Sequence, residues 1–229
     1  IARDGDLVEA VNFNDPKQTV IAGTKSGVEK ACDALKAAGA KRALSLPVSA
    51  PFHSSLMKPA AERLKDKLLA TPFVAPAIDL INNIDVVVEA GPDSIRDALY
   101  RQAFGPVRWV EVVQAIKARG ITHIFECGPG KVLAGMAKRI DGELVSTTVL
   151  DPASLSEAKA LLDASANLPL IASIADFEAL CSSLGGVPLP IGVFADEVFK
   201  RRPRSDLDED AVPQPAELSV AFLKFQLGG

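Results

Sequence analysis

An alternation of strand and helix signals over the first 164 residues constrains the fold more than any other feature of the sequence. Short β-rich or apolar runs alternate with stretches of helical periodicity, and turn residues separate them. The predicted strands are 7–13, 18–22, 42–48, 77–82, 121–127 and 144–150. The predicted helices are 26–38, capped by Ser26, 54–70, 93–103, capped by Asp93, 107–119, 131–139 and a last one capped by Ser154. Such alternation predicts an α/β fold with a mostly parallel sheet.

Composition and element order divide the chain into three parts. The early order of strand, strand, helix and strand predicts a small α+β lobe over residues 1–48, and an α/β part follows over 49–164. The first 164 residues carry 20 basic and 20 acidic side chains, so the net charge of −4 belongs to residues 165–229. Six prolines and adjacent blocks of opposite charge predict that this tail is irregular and partly disordered, with short helices at 174–184 and 218–227.

Composition also excludes several classes of protein. Three cysteines are a sparse, odd count that argues against a disulfide scaffold and predicts a reducing, cytoplasmic compartment. No apolar run approaches the roughly 20 residues of a membrane-spanning helix, so we expect no membrane association. A slightly acidic chain with 5% aromatic residues is a poor nucleic-acid binder. The two histidines are far apart, with no C-x-x-C or H-E-x-x-H pattern, and predict no metal site.

His53 is the strongest candidate for chemistry. It lies between a predicted strand and a predicted helix, where α/β proteins place ligands and catalytic groups. A structural role is the alternative for His53 and the preferred interpretation for His123, which lies inside an apolar strand. Gly128-Pro129-Gly130-Lys131 lacks the spacing of a phosphate-binding loop and is typical of a tight turn. No G-x-S-x-G motif presents a nucleophilic serine, so the chain offers a candidate base without an obvious nucleophile.

Seven further motifs carry a resemblance to a known family. They are Val11-Asn12-Phe13-Asn14-Asp15-Pro16, Val20-Ile21-Ala22-Gly23, Ala40-Lys41-Arg42-Ala43-Leu44, Pro47-Val48-Ser49-Ala50-Pro51-Phe52-His53-Ser54-Ser55-Leu56-Met57-Lys58-Pro59, Asn82-Asn83, Arg96-Asp97-Ala98-Leu99-Tyr100-Arg101-Gln102 and Gly128-Pro129-Gly130-Lys131-Val132-Leu133. In this order and at this spacing they resemble bacterial malonyl-CoA:acyl carrier protein transacylases. The resemblance covers residues of about 7–163 and corresponds to the C-terminal half of such an enzyme. The tail lies outside it.

The resemblance implies a fold and a reaction. The fold would be part of a hydrolase-like α/β acyltransferase domain, with residues 1–48 as part of an inserted ferredoxin-like lobe. The reaction would transfer a malonyl group from malonyl-CoA to the phosphopantetheine thiol of acyl carrier protein in fatty acid synthesis, through a malonyl-serine. Malonyl-CoA and acyl carrier protein would be the partners. Malonyl-CoA is a substrate of this family, and no cofactor is implied.

The same resemblance assigns roles to five residues. His53 would be the general base, since an imidazole titrates near neutral pH. The backbone carbonyl of Gln102 would accept a hydrogen bond from the other ring nitrogen, in the place of a triad aspartate. Phe52 would favour unbranched malonyl units. Asn12 and Asn14 would face the cleft and contact substrate, or else they are turn residues that bond their own backbone before Pro16.

The sequence departs from the family in one large respect. The serine of the G-H-S-x-G elbow, the main oxyanion donors and the arginine that pairs with malonate belong to the family's N-terminal half and have no counterpart here. The chain begins with Ile1 rather than Met, and we expect its beginning to be missing or processed. Two hypotheses follow: part of a working transacylase, or a non-catalytic fragment that binds acyl carrier protein. Electrostatic docking by the second would use Lys25, Lys30, Lys36, Lys41 and Arg42, for which an ordinary solvated basic face is the alternative interpretation.

Overall fold

The computed structural model describes residues 6–48, 50–128, 130–164, 171–173 and 218–224. Its strands are β1 (Val8–Asp15), β2 (Gln18–Thr24), β3 (Arg42–Leu46), β4 (Asp79–Ile81), β5 (His123–Cys127), β6 (Val145–Val149), β7 (Ile171–Ser173) and β8 (Leu218–Lys224). Its helices are α1 (Lys25–Ala37), α2 (Lys58–Ala70), α3 (Pro92–Gln102), α4 (Trp109–Ala118), α5 (Val132–Ile140) and α6 (Pro152–Ala164). A 3₁₀ turn, Ser55–Met57, leads into α2. The chain therefore has a mixed α/β fold, as the alternating pattern predicts.

A hairpin and a split β-α-β unit build the small lobe, which comprises β1, β2, α1, β3 and β8. β1 and β2 pair antiparallel around the turn at Pro16, and α1 connects β2 to β3. β2 and β3 do not pair with each other, because β8 lies between them and is antiparallel to both. Ala221 shows the register, since it lies opposite Ile21 on one side and Ser45 on the other. The sheet order is β1-β2-β8-β3.

The core of the small lobe lies between α1 and the sheet. Alternate residues of a strand face the same side, and residues three or four apart on a helix share a face, so both elements present an apolar surface to the other. The buried residues of this core are Ile21, Val28, Ala31, Cys32 and Ala43. Gly39 ends the helical segment with a φ of +100°, a conformation that glycine adopts without steric cost.

Parallel strand pairs characterise the second part of the chain. β5, α5 and β6 form a β-α-β unit in which His123 lies opposite Val145 and Cys127 opposite Val149. β4 pairs in parallel with β7. A larger core joins α4 and α5 to this unit, and its buried residues are Ile81, Val107, Trp109, Val112, Val113, Ile116, Ile121, Ala137 and Leu144. These pairs agree with the predicted parallel arrangement.

The C-terminal segment contributes strands where a helix is predicted. The helix predicted at 218–227 is wrong, because residues 218–224 form β8 in the slot between β2 and β3. A central position lets the backbone of β8 hydrogen-bond on both sides, and this long-range pairing overrides local helical preference. Residues 171–173 form β7. The helix predicted at 174–184 lies outside the described residues.

The helices begin at caps that differ from the predicted ones. The residues that precede them are Thr24, Gly91 and Asp151, in place of the predicted Ser26, Asp93 and Ser154. The Thr24 hydroxyl accepts from the Gly27 N–H at 3.2 Å. Small polar and acidic residues are favoured both at the cap and within the first turn, so the sequence does not distinguish the two positions. No helix in the described part of the chain is long and apolar enough to cross a membrane.

Candidate functional site

His53 lies in the loop between β3 and the 3₁₀ turn Ser55–Met57. Its backbone φ is +64°, in the left-handed region that non-glycine residues rarely adopt. Pro51 and Ser54, two residues before and one after it, are both fully buried. The Ser54 hydroxyl donates to the carbonyl oxygen of Pro51 at 2.6 Å. Buried contacts on both sides therefore hold His53 in a backbone conformation that few residues adopt. Such conformations cluster at functional sites.

The ring of His53 lies against the last residue of α3. Its Nδ1 is 3.0 Å from the backbone oxygen of Gln102. A carbonyl oxygen can only accept, so this contact requires the proton on Nδ1 and leaves Nε2 of the neutral ring as the acceptor. The side-chain Nε2 of Gln102 is 3.5 Å from the same Nδ1, and it also lies 3.4 Å from the Gly105 carbonyl oxygen, to which it donates. The backbone contact is the shorter of the two, and we assign the tautomer from it.

Arg101, the neighbour of Gln102, fixes the end of α3. Its Nη1 and Nη2 donate to the two carboxylate oxygens of Asp85 at 2.9 and 2.6 Å, and its Nε donates to Asp97 at 2.7 Å. Bidentate pairs of this kind fix both distance and orientation. The hydrogen bonds that Arg101 donates to Asp85 lower the pKa of the Asp85 carboxyl and raise the pKa of the Arg101 guanidinium. The carbonyl that faces His53 therefore belongs to an anchored helix end.

Phe52 belongs to a small apolar cluster beside the His53 loop. The buried members are Ala50 and Met57, and Phe52, Ala60 and Phe104 pack against them. Phe104 follows Gln102 by two residues, so the cluster joins the loop that carries His53 to the segment that carries its partner. Phe52 is half-buried, and the side chain keeps part of its surface accessible.

Asn12 and Asn14 lie on β1, and both are half-buried. Two backbone hydrogen bonds join β1 to the segment after α3: the Val107 N–H donates to Val11 at 2.8 Å, and the Phe13 N–H donates to Val107 at 2.9 Å. These bonds flank Asn12 and bring it against the segment that follows Gln102. Asn14 lies two residues further along, next to the hairpin turn.

The remaining candidates lie on β5 and directly after it. His123 is half-buried on β5, with its Nδ1 2.9 Å from the Thr122 hydroxyl and its ring stacked on Phe125 at a centroid distance of 6.5 Å. Gly128 follows β5 with a φ of +157°, a conformation that favours glycine. Within the described ranges, no group of three or more His, Cys, Asp or Glu side chains could hold a metal ion.

One contact of the His53 loop carries no sequence signal. The carboxylate Oε2 of Glu9 accepts from the Ser55 N–H at 2.6 Å, although the two residues are 46 positions apart. A turn elsewhere in the chain, by contrast, can be predicted from the sequence pair Asn82-Asn83. The Asn82 Oδ1 accepts from the N–H groups of Ile84 and Asp85 at 3.0 and 2.7 Å, the side-chain turn for which asparagine is favoured.

Comparison with known proteins gives a consistent result. No family model matches the chain. It is 52% identical over 155 residues to the malonyl CoA-acyl carrier protein transacylase of Salmonella typhimurium, covering 68% of this chain and 50% of that protein. Against the protein of the same name from Escherichia coli (strain K12), it is 50% identical over 157 residues, or 69% of this chain and 51% of that one.

Solved structures agree with the sequence comparison. The acyl-carrier-protein S-malonyltransferase of Burkholderia pseudomallei 1710b is 64% identical, has a TM-score of 0.65 and is matched over 67% of this chain and 50% of that one. A malonyl-transacylase in complex with its type II PKS acyl-carrier protein is 50% identical, with a TM-score of 0.66, over 69% of this chain and 51% of that one. The chain thus spans about half the length of the relatives it matches. Over about two thirds of its length, the chain is similar in sequence and structure to the malonyl-CoA:acyl carrier protein transacylases.

Proposed function

We propose that this chain supplies the general-base part of a malonyl-CoA:acyl carrier protein transacylase, an S-malonyltransferase. The observation that carries the proposal is the 3.0 Å contact between Nδ1 of His53 and the backbone oxygen of Gln102. A carbonyl in this position selects the tautomer whose Nε2 is unprotonated, which is what a general base requires. The half-buried setting of His53 and its left-handed backbone fit a residue held for chemistry rather than for packing.

The proposed reaction has two acyl transfers. In the first, His53 takes the hydroxyl proton of a serine while the serine oxygen attacks the thioester carbonyl of malonyl-CoA; the carbon–sulfur bond then breaks, and the proton passes to the departing CoA thiolate. In the second, His53 takes the thiol proton of the carrier protein's phosphopantetheine while the sulfur attacks the carbonyl carbon of the malonyl-serine. The ester carbon–oxygen bond then breaks, and His53 returns the proton to the serine oxygen. The sequence has no G-x-S-x-G motif, so the serine must come from outside these 229 residues.

We propose that three further residues contact substrate: Phe52, Asn12 and Asn14. Phe52, half-buried in the cluster next to the base, would restrict the space for branched acyl groups. Asn12 lies against the segment that follows Gln102, and this supports a place for it in the cleft. Asn14 lies beside the hairpin turn, so its turn role remains the alternative. A single amide in this region can still bind the polar atoms of malonate or pantetheine.

We propose that the finer fold follows the family as well. The four-stranded antiparallel sheet of the small lobe, with its split β-α-β unit, supports a ferredoxin-like lobe over residues 1–48 joined by β8. The parallel pairs in residues 49–164 support a hydrolase-like α/β part. The two described cysteines, Cys32 and Cys127, are free thiols, and this supports a reducing cytoplasmic environment.

A second candidate function is a non-catalytic module that binds acyl carrier protein. Lys25, Lys30, Lys36, Lys41 and Arg42 are all exposed on the small lobe. Lys30 and Lys36 pair with Asp6 and Asp33, while the other three have no ion pair to any described residue. A cavity of about 580 Å³ between α1 and β3 includes Lys25 and Lys36 in its lining. Exposed cations on this lobe, two of which line the cavity, favour an acidic partner.

A chimeric enzyme tests the main proposal. The matched stretch of the Escherichia coli relative is exchanged for the matched stretch of this chain, and malonyl transfer to acyl carrier protein is followed by intact mass and by rate. We expect a malonyl adduct on the serine and turnover. We expect His53→Ala to lower the rate about 10²–10⁴-fold.

The matched control is His123→Ala, which leaves the rate within about twofold if His123 is structural. A folded chimera without malonyl adduct, or one whose rate is indifferent to His53→Ala, contradicts the proposal.

The second candidate is tested with the full chain alone: binding of acyl carrier protein that weakens with salt and with Lys25→Glu/Lys41→Glu supports it. Absence of binding at low salt rules it out.

A further inference from the structure

Ser54 has the backbone of a helix cap but does not act as one. Its φ of −102° and ψ of 163° are extended, as expected for the residue before a helix, yet its side chain makes no cap hydrogen bond. The buried hydroxyl instead donates to Pro51 behind it. The first N–H groups of the turn that begins at Ser55 therefore need an acceptor from elsewhere in the fold.

Glu9 supplies that acceptor from the small lobe. Its Oε2 lies 2.6 Å from the backbone nitrogen of Ser55, a short hydrogen bond between an ionisable carboxyl and a peptide N–H. A negative charge at this position also interacts favourably with the N-terminal end of a helix. Glu9 lies on β1 opposite Ala22, so a strand of the small lobe caps the turn that follows His53.

The same strand reaches the other side of the His53–Gln102 contact. Two residues beyond Glu9, Val11 accepts from Val107, and Phe13 donates to Val107. Val107 follows Gln102 by five residues. β1 therefore contacts the His53 loop through the Glu9 side chain, and it contacts the segment after Gln102 through its own backbone. In this way β1 connects the loop that carries His53 to the segment that carries its hydrogen-bond partner.

We propose that Glu9 is a positioning residue for His53. By holding the Ser55 N–H, its carboxylate fixes the peptide that follows His53 and keeps the ring within hydrogen-bond distance of the Gln102 carbonyl. The consequence for catalysis rests on the proposed function. The geometric coupling between Glu9 and His53 does not depend on any activity.

Nuclear magnetic resonance on the full chain tests the coupling directly. In Glu9→Ala, we expect the Ser55 amide to exchange with solvent at least tenfold faster and the His53 ring signals to shift. Glu9→Gln keeps a neutral acceptor and should show smaller changes in the same direction. Glu29→Ala, an exposed glutamate on α1 of the same lobe, should leave both readouts unchanged. Unchanged Ser55 exchange and His53 signals in Glu9→Ala overturn the proposal.

The chimera separates this proposal from the proposed function. In an active chimera, we expect Glu9→Ala to lower kcat at least tenfold with KM changed less than threefold, and Glu9→Gln to restore most of the loss. If Glu9→Ala keeps the full kcat while His53→Ala causes a large loss, the positioning role of Glu9 in catalysis is rejected and His53 is retained as the base. Altered His53 signals in a chimera that tolerates His53→Ala support the coupling and reject the function.

Discussion

Arg139 on α5 donates from its Nε to the carboxylate of Asp15 at 2.7 Å, across 124 positions of sequence. The Asp15 side chain is only 6% exposed, whereas that of Arg139 is 52% exposed. The second carboxylate oxygen accepts from the Lys17 N–H in the hairpin turn at 2.9 Å. The pair therefore joins the tip of the β1–β2 hairpin to the α/β part, at the opposite end of β1 from Glu9.

Removal of the guanidinium should destabilise the fold. Arg139→Met keeps most of the side-chain volume but leaves one oxygen of a buried carboxylate without its partner, so we expect a loss of about 1–3 kcal/mol in unfolding free energy. Urea denaturation measures it. Lys138→Met, its exposed neighbour, should change stability by less than about 0.5 kcal/mol. Equal losses in the two variants would contradict a specific role for the pair.

The bidentate ion pair between Arg101 and Asp85 should make the free energy of unfolding depend on pH. Because Arg101 lowers the pKa of Asp85, the charged carboxylate stabilises the folded state above the ordinary pKa of about 3.9, and this stabilisation is lost as pH falls through the lowered value. Asp85→Asn should therefore cost roughly 1 kcal/mol at pH 7, since both side chains are partly exposed. The difference from the parent chain should shrink towards zero in acid.

Asp93→Asn is the matched control for that series. The Asp93 side chain is 99% exposed where it meets Arg96, so solvent screens the pair. Its effect should stay within about 0.5 kcal/mol at every pH. If the difference in unfolding free energy between Asp85→Asn and the parent persisted undiminished at low pH, the negative charge of Asp85 would not be its cause.

Gly105 should not tolerate a side chain. A Cβ built there would lie 2.1 Å from Ile84 Cδ1 and 2.9 Å from the backbone oxygen of Arg101, so the segment after Gln102 would have to move. We expect Gly105→Ala to cost about 1–3 kcal/mol and to shift the His53 ring signals. Gly142→Ala, with no atom within 4 Å of the added carbon, should be neutral. A neutral Gly105→Ala would contradict the close packing at this point.

Local signals made most of the regular elements predictable. β5 and α5 have an apolar run, a glycine turn and helical periodicity in immediate succession, and both were predicted within a few residues of their observed limits. His53 was found because it stands between a strand and a helix. Gln102 was identified through the family motif that ends α3, since nothing in its own neighbourhood marks a backbone carbonyl as a partner.

Long-range contacts were not predictable from local pattern. Residues 218–224 form a short, largely apolar run, and the periodicity of such a run does not distinguish a helix from a strand. The segment is a strand because its backbone pairs with β2 on one side and β3 on the other. The bond from Glu9 to Ser55 and that from Arg139 to Asp15 join segments whose proximity exists only after folding. Cap positions were displaced because Ser and Asp serve equally well in the first turn.

The central position of β8 predicts a severe effect of proline. Ala221→Pro removes a backbone donor from a strand that pairs on both sides, so the amides of β3, whose described partner strand is β8, should lose protection from hydrogen exchange. Ala221→Ser keeps the donor and should keep the protection. Equal protection of Arg42–Leu46 in both variants would contradict the pairing.

The tautomer of His53 tests the account most directly. A ¹⁵N spectrum of the neutral ring in the full chain reports which nitrogen carries the proton. We predict that the proton is on Nδ1, hydrogen-bonded to the Gln102 carbonyl, and that Nε2 is unprotonated and can act as a base. A neutral ring with its proton on Nε2 would contradict it, because that nitrogen could then accept no proton from a serine.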